Sequence, residues 1–346
     1  FQLVYANDMN HDACETFKEN LPAVIANCPI ENVDPSTLPD ADIITGGFPC
    51  QDFSVIWKRP GLTGERGGLY GHFVRFVENK LPKVFVAENV KGLLSANKQK
   101  AIKQIIEDFE GIGPGYLIKP KLYNFADYGV PQFRERVILV GIRKDTGFNF
   151  IHPAPTHGPK ANQPYITAGE SLDGAEEVPY NNEHMKIMPR TVEILKRIPP
   201  GGNFSSIPKE SEFYVKGMIS HVYRRCHAEK PAATIIAAGG GGTWGYHHKE
   251  PRALTNRERA RLQSFPDDFR FKGTFTEIRR QIGNAVPPVG IKPVADAIYK
   301  LFSGDHETID LEALSIGLGN LSIKERLRAS ADEALSEGQG QYPGLF

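Results

Sequence analysis

The chain has 346 residues, 40% of them hydrophobic and 24% charged, with 41 Lys plus Arg matched by 41 Asp plus Glu. That length offers one large domain or two ordinary ones with room for a buried core, and that composition excludes a chain disordered throughout. No apolar run reaches the roughly 18 residues needed to cross a bilayer and no basic-then-apolar leader opens the chain; four cysteines (Cys14, Cys28, Cys50, Cys226) without a C-x-x-C pair argue against a disulfide framework and a zinc site. The expectation is a cytoplasmic protein in a reducing compartment, with no membrane partner.

Residues 3–6, 42–45, 84–87 and 137–142 are short apolar runs of strand type, and residues 12–20, 73–79 and 98–109 carry helical spacing. Their alternation predicts an α/β fold, a parallel sheet with helices on both faces. Ligands of such sheets sit beyond the carboxyl ends of the strands, which directs attention to Asn7 and Asp8, to residues 46–50, and to Glu88 and Asn89. Composition shifts near His152, and periodicity weakens through Pro- and Gly-rich stretches at 152–159 and 199–203 to about Lys230, as in a smaller inserted domain. Pattern returns as a strand at 232–237 and a short helix within 255–264, opened by Thr255 and Glu258 at capping-box spacing. A last helix spans about 291–302, and a peripheral amphipathic stretch lies near 323–335. Charge is uneven: residues 184–280 hold 18 Lys and Arg against 9 Asp and Glu, while residues 303–346 hold 3 against 8. A basic sector of this kind suits a polyanion-binding face, although a solvated surface carries the same pattern.

The sharpest local feature is Gly46-Gly47-Phe48-Pro49-Cys50-Gln51, a cysteine just past an apolar strand, in a loop stiffened by proline and freed by two glycines. Alone, such a cysteine reads as a small buried hydrophobe. Glu88 ends the next apolar strand, where partial desolvation raises a carboxyl pKa and suits it to hold or donate a proton; alone it reads equally as a helix cap. Arg134 and Arg136 stand at i, i+2 spacing, so that both could face one side of a strand. Cysteine, carboxylate and guanidinium at neighbouring strand ends form a joint constellation that chance explains poorly.

Together with Arg257-Glu258-Arg259-Ala260-Arg261-Leu262-Gln263-Ser264-Phe265-Pro266 and Gln281-Ile282-Gly283-Asn284-Ala285-Val286-Pro287-Pro288, these segments resemble the ordered motif set of the DNA (cytosine-5) methyltransferases of bacterial restriction-modification systems, over about residues 3–302. The resemblance implies a Rossmann-like, S-adenosylmethionine-dependent sheet with an inserted target-recognition domain: residues 1–150 catalytic and cofactor-binding, 151–250 target recognition, 251–302 a return to the catalytic domain, and 303–346 an acidic tail. It further implies that Cys50 adds to C6 of a flipped-out cytosine, that Glu88 contacts N3 and the exocyclic amine, and that Arg136, with Arg134 nearby, binds the O2 edge and phosphate region. For the cofactor it implies Asp8 on the ribose, Met9 on the adenine, Ile30, Pro49 and Leu69 lining the adenosine pocket, and Asn284 to Val286 over the methionine end. Pro29 stands where the family often has an acid. The family's first motif would precede Asp8 by some two dozen residues, and the chain starts at Phe1, so an amino-terminally truncated segment is expected.

Double-stranded DNA is the expected partner, with Gln51 and Ser54 in a closing loop at 51–68 and Arg224, Arg225 and Thr234 as DNA-binding residues. Arg190, Lys196, Arg197, Lys230 and the Trp244, Tyr246, His247, His248 cluster are further candidates for phosphates or base edges. The two adjacent histidines lack a third ligand at suitable spacing for a metal. A cognate restriction endonuclease is the expected functional partner, from whose cleavage methylation would protect DNA. Two alternatives stay open: a tRNA cytosine-5 methyltransferase, and a catalytically silent DNA-binding remnant. A cysteine hydrolase is weaker, because no histidine stands in a motif that would activate Cys50.

Overall fold

The computed structural model describes residues 1–49, 68–214, 222–237 and 245–304, with 321–322, 324–326 and 328–330 of the tail. Among the described residues six strands form two sheets. Strands β1 (Ala6–Asp8) and β2 (Ile25–Asn27) pair in parallel. Strands β3 (Ile43–Gly47), β4 (Val84–Val90), β5 (Tyr116–Asn124) and β6 (Glu135–Arg143) form a second sheet in the order β3-β4-β6-β5. Helices are α1 (His11–Asn20), α2 (Leu69–Lys80), α3 (Lys100–Glu110), α4 (Ala168–Leu172), α5 (Pro189–Lys196), α6 (Asn256–Leu262), α7 (Phe275–Asn284) and α8 (Pro288–Ser303).

The all-parallel expectation is corrected. β3 and β4 are parallel, but β6 inserts between β4 and β5 and runs against both. A parallel return would need a crossover of a dozen or more residues, usually helical. The β5–β6 connection instead holds only a 3₁₀ turn, Phe125–Tyr128, closed by Gly129 at φ 83°. The first strand is displaced too, from 3–6 to Ala6–Asp8, so that Asp8 is itself its last residue.

Alternation along the strands builds two cores. On one face Phe85, Ala87, Val137 and Leu139 meet Val74 and Val77 of α2 and Ile102, Ile105 and Phe109 of α3. On the other, Val84, Ile138, Val140 and Ile142 meet Val294, Ile298 and Leu301 of α8. Each such Val, Leu, Ile or Phe side chain contributes roughly 1.5–3 kcal/mol on burial, so the packing on both faces holds the strands in place. Past residue 151, Ile194, Leu195, Ile198, Phe204, Tyr223 and Tyr246 form a small core of their own. A further cluster joins α4 to Ala232, Ile235, α6 and α7. The Thr255–Glu258 capping box opens α6 as the spacing predicts.

The expected strand at 232–237 does not form. Its ladder contact is a single bridge between Gln132 and Ala232, and side chains take the place of a strand neighbour: Ile235 N–H donates to Gln132 Oε1 at 2.7 Å, and Ile235 O accepts from Arg134 Nη1 at 3.0 Å. α7 presses close behind, since a Cβ on Gly283 would lie 2.3 Å from Ala237 N. The amphipathic stretch near 323–335 falls largely outside the described residues.

Candidate active site

β3 and β4 deliver the first groups side by side. Register pairs Gly47 with Glu88, and Gly46 is required beside them because a Cβ there would stand 2.8 Å from the Phe73 ring. Glu88 Oε1 lies 2.8 Å from Arg136 Nε, with the two side chains 21% and 15% exposed. Burial pushes the Glu88 carboxyl up from its ordinary pKa, against the pull of Arg136 and Arg134. The pair is thus a partly desolvated acid whose orientation is set by a guanidinium. Beside it Asn89, buried, donates from Nδ2 to Phe48 O at 2.8 Å. Cys50, with Gln51 and Ser54, lies outside the described residues.

Arg134 and Arg136 do not share a face. β6 begins at Glu135, and Arg134, 1% exposed, turns inward. Its Nη1 donates to Ile235 O, and its Nη2 to Gly283 O at 2.8 Å and Ala285 O at 3.0 Å. Burial lowers its pKa to about 9, which leaves it charged at neutral pH. Arg134 therefore staples the 232–237 segment and the end of α7 to the sheet, in place of the expected substrate contact. Two glutamines complete this frame: Gln132 donates to Leu262 O and Gln263 Oε1, and Gln263 donates to Ile282 O and Ala285 O. Both glutamines stand inside the motif segments, and nothing local in the sequence marks a buried amide that joins segments distant in the chain.

On the cofactor side, Asp8 closes β1 with an exposed carboxylate whose Oδ1 accepts from Asn10 N at 2.7 Å. Met9, 71% exposed, follows it. A fixed acid beside an accessible thioether fits a ribose diol and an adenine face, so these residues suit the adenosine half of S-adenosylmethionine. Ile30 is half-buried and its carbonyl is held by Arg75 at 3.2 Å. Pro49 and Asn284 are exposed, Leu69 half-buried at the start of α2, and Val286 packs partly on the α8 core.

Arg136, the partner of Glu88, lines a cleft of about 600 Å³ with Val90, Lys91, Phe133, Arg224 and Thr234 among others. Thr234 Oγ1 donates to Phe133 O at 2.6 Å, and Lys91 Nζ pairs with Glu135 at 2.9 Å. Arg224 is exposed on the cleft. Arg225 is not: its guanidinium is buried and donates to the carbonyls of Leu195, Ile198, His247 and His248. The expected DNA contact at Arg225 is thus corrected to a frame role, because four carbonyls of neighbouring loops converge on it. His247 and His248 are likewise buried, with ring centroids 4.5 Å apart, and Tyr246 is in the small core. Arg190 and Arg197 are exposed and lie over the Phe213 ring at 5.4 and 3.9 Å; Lys196 pairs with Glu193 at 2.8 Å, and Lys230 is exposed. Trp244 lies outside the described residues. Among the described residues no helix is long and apolar enough to cross a membrane.

The C-5 cytosine-specific DNA methylase family profile matches residues 1–300. Type II methyltransferase M.NgoFVII of Neisseria gonorrhoeae is 58% identical over 331 residues, covering 94% of this chain and 88% of its own. Type II methyltransferase M.BbvI of Brevibacillus brevis is 44% identical over 315 residues, 88% and 83% of the two chains. Among solved structures, one assigned as a prophage-encoded DNA modification methyltransferase of E. coli superposes with TM-score 0.63 at 20% identity, covering 88% of this chain and 93% of that one. A Spodoptera frugiperda DNMT2 mutant gives 0.54 at 16%, with 87% and 92% covered. At these identities the structural likeness speaks to fold alone.

Proposed function

Because the chain belongs to the C-5 cytosine-specific DNA methylase family, and is thereby an S-adenosylmethionine-dependent DNA (cytosine-5-)-methyltransferase of restriction-modification type, we propose that it acts on a cytosine flipped out of a short specific duplex site through a covalent adduct at Cys50. Cytosine C5 is a weak nucleophile, and addition of the Cys50 thiolate to C6 loads electron density onto it. Glu88 holds a proton at N3 and accepts from the exocyclic amine as C6 is attacked, and Arg136 keeps that carboxylate oriented and meets the O2 edge. S-adenosylmethionine, held at its adenosine end by Asp8 and Met9, supplies the electrophilic methyl group when bound. Loss of the C5 proton then expels the Cys50 sulfur from C6 and restores the aromatic ring.

The observation that carries this reading is the half-buried Glu88–Arg136 pair at 2.8 Å, whose Arg136 also lines the cleft bearing Arg224 and Thr234. A duplex hides its ring atoms, so a base must leave the stack to reach such a pair. Residues 151–250 read as the target-recognition part, with Arg224 on phosphates and Thr234 tying that part to Phe133. Methylation of one short sequence would protect host DNA from a restriction enzyme of the same specificity, as the Type II names of the relatives suggest. Their identity also favours DNA over tRNA.

The test is transfer of a labelled methyl group to unmethylated plasmid and to tRNA, with bisulfite sequencing of the plasmid. Methylation in one fixed DNA context is expected, abolished by Cys50→Ser. Substantial turnover by that variant would overturn the covalent route, and incorporation into tRNA alone would overturn the substrate.

A further inference from the structure

Residues 132–134, just ahead of β6, turn polar side chains inward and an aromatic one outward. The polar Gln132 and Arg134 are fully buried, and the aromatic Phe133 between them projects outward, 39% exposed. The ring forgoes part of its burial while two polar side chains take interior positions, and departures of this kind from local logic concentrate at functional sites. The residue is also fixed in place on its backbone and at its ring. Phe133 N–H donates to Ala232 O at 2.9 Å, its carbonyl accepts from Thr234 Oγ1 at 2.6 Å, and Tyr165 stands edge-on at 5.6 Å and 84°. Tyr165 is itself anchored through its hydroxyl to Asp127 Oδ1 at 2.8 Å. The ring faces the cleft that also presents Arg136 and Arg224.

From this geometry we infer that Phe133 is a stacking platform for a nucleobase adjacent to the target cytosine. The inference rests on the cleft being the DNA face. When a cytosine leaves the duplex, the neighbouring base loses a stacking partner and exposes an aromatic face. A positioned ring, with the exposed Arg224 guanidinium on the same cleft for a phosphate, replaces that partner without reading its sequence. Phe133 is a positioning residue: it holds the opened duplex in register while Glu88 and Arg136 meet the flipped base.

The experiment uses the full chain and an oligonucleotide duplex carrying the site mapped by bisulfite sequencing, with 2-aminopurine next to the target. Phe133→Tyr keeps the platform, Phe133→Leu keeps bulk without the π face, and Phe133→Ala removes both. Phe133→Leu and Phe133→Ala are expected to raise the KM for DNA roughly tenfold and to brighten 2-aminopurine in the complex, because stacking quenches it. Phe133→Tyr should restore both values to within about twofold of the parent. The salt dependence of binding should not change, since no phosphate contact is removed. Parent-like KM and quenching in Phe133→Leu would overturn the platform, as would a loss confined to melting temperature. A parent chain that neither binds nor methylates the duplex would fail differently, sinking the DNA reading and the platform with it.

Discussion

Asn89 Nδ2 donates to the Phe48 carbonyl at 2.8 Å across the ends of β4 and β3, and the Phe48 ring packs against Tyr70 at 5.1 Å. Bond and ring together fix the direction in which the chain leaves β3 toward Pro49, one residue ahead of the proposed nucleophile. Asn89→Ala removes the bond and leaves a buried carbonyl unpaired, at a cost of about 1–3 kcal/mol in stability. Misplacement of about an ångström can cost on the order of 10²-fold in rate. The expected outcome is a kcat lower by about that factor, with KM for DNA nearly unchanged. Single-turnover methyl transfer beside a urea titration measures both. A raised KM with intact kcat would show that Asn89 serves binding instead.

Glu88 places function and stability in opposition. Its carboxyl pKa is raised in the folded state, chiefly by burial, so the folded protein holds its proton more tightly than the unfolded chain does. Its contribution to stability is therefore fully present below the unfolded carboxyl pKa and is lost as pH rises through the higher folded value. Glu88→Gln removes that loss. Relative to the parent, the variant should therefore melt higher at pH 7 than it does at pH 4. Methyl transfer should fall about 10²- to 10³-fold, the usual effect of removing one group that stabilises a transition state. Calorimetry at the two pH values checks the first claim and turnover the second; a difference from the parent that does not grow between pH 4 and pH 7 would contradict the burial argument.

The strand ends that position Glu88 were legible because apolar runs alternate with amphipathic helices over residues 42–109 and each element obeys its period. β5 escaped notice because Pro120, Lys119 and Lys121 interrupt its apolar pattern. It tolerates the proline because it is an edge strand, and the lysines because Lys119 Nζ reaches Phe150 O at 2.6 Å and Lys121 Nζ reaches Pro153 O at 2.8 Å. β2 is only three residues long and carries no period to detect. Arg134 and Arg225 misled for a different reason. A guanidinium that gathers backbone carbonyls from several loops looks, in sequence, the same as one that gathers phosphates. Partners 10² residues away, such as Ile235 for Arg134, come into view only in three dimensions.

That staple has a measurable consequence. Arg134→Ala strips donors from the carbonyls of Ile235, Gly283 and Ala285 at once. Hydrogen bonds to charged groups contribute about 1.5–3 kcal/mol each, and shared networks are not additive. A loss of about 3 kcal/mol is expected in urea denaturation. Lysine should recover little of it, because a single ammonium cannot reproduce the planar fork. Stability unchanged in Arg134→Ala would return this residue to the substrate.

Arg224 and Arg225 are neighbours in sequence and opposite in role, which makes them a sharp pair to compare. Arg224 is exposed on the cleft, and Arg225 is buried against four carbonyls. A phosphate contact releases condensed counterions, so removing one flattens the plot of log affinity against log salt by roughly 0.9. Arg224→Ala should show that change while its melting temperature stays near the parent's, as surface substitutions usually stay within about 0.5 kcal/mol. Arg225→Ala should instead lose about 3 kcal/mol of stability and, in the fraction that remains folded, keep the parental salt slope. Filter binding across a salt series, run beside thermal melts, separates the two. A flattened slope in Arg225→Ala with an unchanged melting temperature would place its guanidinium on DNA and undo the frame assignment.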